Sequence, residues 1–155
     1  TGVNYAHAKH ALQCVNDWSD VFFITLTARH DISKDLLESN YVKLINHMSK
    51  TAYKKAYERY GKAVQNIGYI EAGKVGGKKG VNLHIHAVLS KPHFISSASF
   101  TRDIKAVWNK YAGRADVQRI EESKDDRESV ASYMTKLHTK TNGMFLTLQD
   151  AYLIC

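Results

Sequence analysis

The run VFFITLT at 21–27 mixes β-branched and aromatic side chains and predicts a first strand. After it, Ser33 can cap a helix, and Leu37, Tyr41, Ile45, Met48, Ala52, Ala56 and Tyr60 recur every three or four positions. That spacing predicts one long amphipathic helix ending near Gly61. Two more strand-like runs, AVQNIGYIEA at 63–72 and VNLHIHAVLS at 81–90, flank GKVGGKKG, which reads as an exposed hairpin tip. Phe100, Ile104, Val107, Trp108 and Tyr111 predict a second amphipathic helix over 99–112, with Gly113 placed to end it. ADVQRIE at 115–121 predicts a fourth strand. The acidic loop EESKDDRE then leads into SVASYMTKLHTK, a final helix over 127–140 whose acidic start suits the helix dipole. Residues 5–16 can form a short leading helix.

The order α-βαββαβ-α predicts an α+β domain with a ferredoxin-like, RRM-like βαββαβ core. Such a core is an antiparallel sheet with two helices on one face and an open face opposite. The final helix is the natural cover for that open face. Pro92 falls in SKPHFISSAS at 90–99, a loop rather than a domain linker. The length of 155 residues, 44% hydrophobic and 24% charged, suits a single domain, 1–155, with its own core. A start on Thr and a close on LQDAYLIC suit a piece of a longer protein.

Charge changes this picture first. Lys and Arg total 22 against 15 acidic residues, a net charge of +7, and eight histidines add more on acidification. The expected partner is a polyanion. No apolar run approaches the roughly 18 residues needed to cross a bilayer, and TGVNYAHAKH lacks the basic and apolar regions of a secretory signal. Membrane insertion and secretion are not expected. Cys14 and Cys155 form neither a metal-type pair nor a disulfide pattern, which suits a reducing compartment.

The candidate chemistry starts in LHIHAVL. Alternate residues of a strand share a face, so His84 and His86 project to one side, roughly 7 Å apart along the strand. Leu83, Ile85, Ala87 and Leu89 take the other, an apolar side fit for a core under the helices. The histidines are therefore expected on the open face, displayed rather than buried. A hairpin register pairing Glu71 with His84 also pairs Tyr69 with His86 and Ile70 with Ile85, and Glu71 then joins the histidines. Two imidazoles and one carboxylate can hold a divalent cation with positions left for water or substrate oxygen. His7 and His10 are a competing pair in the leading helix, without a carboxylate, and read as a surface feature.

In the final helix Tyr133 and Lys136 stand one turn apart and Lys140 a further turn on, so a nucleophile and two cations share a stripe. Val130, Met134 and Leu137 form the adjoining apolar stripe. For the phosphates of such a polyanion, Lys74, Lys78 and Lys79 stand at the hairpin tip, with Arg102, Lys105, Lys110 and Arg114 along the second helix. Phe23, Thr25 and Thr27 share one face of the first strand. If that face is the open one, Phe23 can stack a base of a nucleic acid and Thr25 lies on the same binding surface; packing under the helices is the alternative.

FITLT at 23–27, Glu71, LHIHAVLS at 83–90 and Tyr-x-x-Lys in SYMTK at 132–136 occur in the motif order of the HUH endonuclease superfamily. The chain resembles its rolling-circle replication initiators, the Rep nuclease domains of plasmids, phages and single-stranded DNA viruses, over about residues 21–140. That resemblance implies a metal-dependent nickase that cuts and rejoins single-stranded DNA at an origin through a covalent 5′-phosphotyrosine. It implies Tyr133 as nucleophile, Lys136 beside it, and Glu71, His84 and His86 as ligands of Mg²⁺ or Mn²⁺. The implied partners are single-stranded or hairpin origin DNA and a helicase, in a further domain or from the host. The implied location is the cytoplasm in a bacterial host, or the nucleus for a eukaryotic virus. In related relaxases the nucleophile precedes the histidines, which brings Tyr5 into view; Tyr-x-x-Lys favours Tyr133. A transposase or relaxase of the same superfamily shares this chemistry. A non-catalytic RRM-like binder shares the strand order, but would carry aromatics in its third strand in place of His84 and His86.

Overall fold

The computed structural model describes Trp18 and residues 20–28, 32–75, 78–111, 113–120 and 145–147, with backbone alone at 69, 71–75, 78–82 and 145–147. Strand β1 (Val21–Thr27) is followed by helices α1 (Lys34–Tyr53) and α2 (Lys55–Tyr60), then β2 (Asn66–Val75) and β3 (Lys78–Ser90). Helix α3 (Ser97–Lys110), β4 (Arg114–Ile120) and β5 (Phe145–Thr147) complete the order. The strands form one antiparallel sheet in the order β4-β1-β3-β2-β5. Its first four strands have the arrangement of a ferredoxin-like core, as the βαββαβ reading predicts.

One sheet face carries Phe22, Ile24, Leu26, Ile70, Ile85, Ala87 and Leu89, all buried. Onto it pack Leu37, Tyr41, Leu44, Ile45 and Met48 of α1, and Phe100, Ile104, Val107 and Trp108 of α3. Phe22 meets Phe100 edge-on at 5.2 Å. This is the face assigned to the core from the alternation in LHIHAVL, and burial of its side chains is the main driving force for docking the helices. Ser33 and Ser96 cap α1 and α3 by accepting from Leu36 N–H and Ser99 N–H, each at 3.1 Å.

Several boundaries differ from the pattern reading. The long helix is broken at Lys54, whose φ of 50° leaves the helical region. The apolar stripe runs out there: α2 has no buried residue, and Tyr60 is 77% exposed. Gly61, at φ 65°, then ends α2 in the left-handed conformation that glycine adopts without penalty. Strand β2 starts at Asn66 rather than 63, because Val64 N–H is taken by Ser49 Oγ at 2.9 Å and so joins no strand ladder. The hairpin is longer than expected, with Lys74 paired to Lys79 and Val75 to Lys78, so the glycine-rich segment is mostly strand. A register shift between Ala72 and Lys74 marks a bulge in it. Strand β5, unpredicted, adds to the edge of β2.

A buried polar group near the sheet end fixes the chain after β3. Lys91, 6% exposed, donates from Nζ to the carbonyls of Pro92 and Ile95 and lies 3.6 Å from Asp20 Oδ2. No helix among the described residues is long and apolar enough to cross a membrane. The leading helix with Tyr5, His7 and His10, both cysteines, and the final helix with Tyr133, Lys136 and Lys140 lie outside the described residues.

Candidate functional site

Pairing across the sheet arranges its helix-free face in rows. Arg114, Thr27, His84 and Glu71 stand opposite one another in one row, and Asp116, Thr25, His86 and Tyr69 in the next. Residues directly opposite share a face, so the register anticipated for Glu71, His84, Tyr69 and His86 is the one adopted. One row further on, Phe23 stands opposite Val88 on the same face. Of the two placements open to Phe23, Thr25 and Thr27, the histidine face is the one found.

The two imidazoles meet edge-to-face with ring centroids 4.8 Å apart. Their exposure differs from the expectation of display: His84 is half-buried and His86 is buried, at 8%. Phe23 stacks on the His86 ring at 5.8 Å and 19°. Thr25 Oγ1 lies 3.2 Å from His86 Nδ1. Phe23 and Thr25, proposed from sequence as DNA contacts, thus surround His86 in the structure. When the hydroxyl accepts from Nδ1–H, the ring is in the tautomer that carries its lone pair on Nε2, and such an outer-shell bond is usual for a metal-binding histidine. Of Glu71, His84 and His86, the side chains of the two histidines are described, and no group of three or more His, Cys, Asp or Glu gathers among the described residues. Glu71 is given by its backbone register, directly opposite His84. Two imidazole nitrogens and a carboxylate as donors suit a divalent cation with open oxygen-binding positions.

Three features escaped the sequence pattern. Thr25 as the partner of His86 depends on strand order. Arg114, grouped from sequence with the cations along the second helix, instead begins β4 and stands two strands from His84 in its row. Phe145 of β5 pairs with Glu71. The short β-prone run FLT was the available signal for that strand.

No curated protein matches this chain. The family model for replication-associated protein ORF2/G2P matches residues 21–142, from the first residue of β1 through the Tyr-x-x-Lys segment. This match covers most of the 155 residues and agrees with a Rep nuclease domain of a rolling-circle replicon. With the ferredoxin-like sheet and its histidine row, it places the chain in the replication-associated protein ORF2/G2P family.

Proposed function

We propose that this domain nicks and rejoins single-stranded DNA at a replication origin, initiating rolling-circle replication by transesterification at Tyr133. The observation that carries this reading is the register that sets Glu71 opposite His84, with His86 two residues along the same strand face. Glu71, His84 and His86 would hold Mg²⁺ or Mn²⁺. When bound, the cation withdraws charge from the scissile phosphate and stabilises the developing transition state. Thr25 and Phe23 orient the His86 ring for that role.

In the reaction, Tyr133 Oη attacks phosphorus, the P–O3′ bond breaks, and the departing O3′ takes a proton to become a 3′-hydroxyl. The downstream strand stays joined to the phenol oxygen through its 5′ phosphate. A free phenol has a pKa of about 10 and is mostly protonated at neutral pH; Lys136, one helical turn away in the predicted final helix, favours the phenolate. Because the phosphodiester energy is kept, attack by a 3′-hydroxyl reverses the step without ATP. The +7 charge and the lysines brought together by the hairpin register, Lys74 opposite Lys79, favour a DNA strand along the hairpin. Lys78 and Lys79 extend that contact, and Lys140 extends the stripe of Tyr133 and Lys136. Origin DNA and a helicase are the partners, in the bacterial cytoplasm or, for a eukaryotic virus, the nucleus.

The test is a denaturation-resistant adduct. Protein, Mn²⁺ and a single-stranded origin oligonucleotide should yield one, and Tyr133→Phe should abolish it while leaving the fold and DNA binding intact. Tyr5→Phe should still form it. Mass spectrometry that finds the oligonucleotide on Tyr5, or on no tyrosine, overturns the assignment.

A further inference from the structure

At the β4 edge of the sheet an open cleft of about 520 Å³ lies between α3 and β4. Lys105 and Asn109 line it from the helix, and Arg114 and Asp116 from the strand. Its size falls in the range of small-ligand sites. Its position is set by close packing. Trp108 Nε1 donates to Thr27 O at 2.8 Å, Thr27 Oγ1 donates to Arg114 O at 3.2 Å, and Gly113 passes so near that a Cβ there would strike Thr27 O and Trp108 Nε1.

The geometry points to this cleft as a subsite for one nucleotide of the DNA strand, held by its phosphate on Arg114 and Lys105. This rests on the reading of the histidine face as the DNA-processing face. Arg114, Thr27 and His84 form one row, and neighbouring strands lie about 4.8 Å apart, so Arg114 begins on the order of 10 Å from His84. A strand crossing the sheet past His84 along that row runs off it at Arg114. The guanidinium is 80% exposed and its pair with Asp116, at 3.5 Å, is also exposed, a contact of little strength. A phosphate therefore competes for it readily, and the guanidinium fork matches phosphate oxygens in pairs. Lys105, exposed on the facing side of the cleft, supplies a second cation.

The test is fluorescence anisotropy with a labelled single-stranded oligonucleotide at two salt concentrations, using wild type, Arg114→Ala, Lys105→Ala and Arg59→Ala. Arg59 lies on α2, exposed and outside the cleft, so its loss removes the same charge elsewhere. Arg114→Ala should weaken binding roughly tenfold and lower the salt slope by about one. Lys105→Ala should weaken it less, and Arg59→Ala should stay within about twofold of wild type. Photo-crosslinking from a thiothymidine-substituted strand should label a peptide within 105–116. Equal affinity of the Arg114 and Arg59 variants at both salts, or no label on that peptide, overturns the subsite. Repeating the titration with His84→Ala and His86→Ala in place separates the two readings. A missing adduct with an intact Arg114 effect removes the nicking chemistry alone, and persistent nicking without that effect removes the subsite alone.

Discussion

Thr25 Oγ1 lies 3.2 Å from His86 Nδ1, joining β1 to β3 through side chains 61 residues apart in sequence. The contact fixes the orientation of an imidazole that the alternation in β3 can only aim at one face. Thr25→Val keeps the branched shape and removes the hydroxyl. Mn²⁺ affinity should fall about 10- to 100-fold by titration calorimetry, with a stability loss of only about 1 kcal/mol. Unchanged affinity would show that His86 needs no such partner.

His84 and His86 should separate in stability though not in metal binding. His86 is buried and stacked on Phe23, whereas His84 is half-buried. His86→Ala should cost about 1–3 kcal/mol in urea denaturation and His84→Ala less, while either change weakens Mn²⁺ binding and EDTA stops nicking. Nicking by the double variant in EDTA would remove the cation from the mechanism.

Gly113 is required for space. A Cβ there would fall on Thr27 O and the Trp108 indole nitrogen, whose hydrogen bond ties α3 to β1. Gly113→Ala should destabilise by about 1–3 kcal/mol and lower the melting temperature, since backbone and a buried indole must both shift. A melting temperature equal to wild type would show that the junction relaxes freely.

Tyr41 is buried in the core and its hydroxyl donates to Asn66 Oδ1 at 2.9 Å. Burial raises its pKa well above the ordinary value near 10.0. The folded state thus holds the proton more tightly than the unfolded chain. That contribution is complete below pH about 10 and declines as pH rises beyond it, because the unfolded phenol ionises first. Wild type should exceed Tyr41→Phe by about 1 kcal/mol near pH 8, and the gap should narrow by about pH 11. A gap that widens there, measured by urea denaturation, would contradict the burial of the phenol.

Local pattern alone determined a good deal of this protein. The β-branched run of β1, the period-two alternation of β3 and the three-to-four spacing of α1 and α3 each record which side of an element meets the core. They suffice for the βαββαβ order and for the apolar face under the helices; a hairpin register that sets Glu71 against His84 is compatible with them, and the structure adopts it. What lay outside their reach is whatever depends on which strands become neighbours. Thr25 meets His86, and Arg114 joins the row of His84, only because β1 lies between β3 and β4. The break at Lys54 and the three-residue β5 were equally hidden. A periodic stripe does not report where the core beneath it ends, and so short a strand exists only through the edge it pairs with.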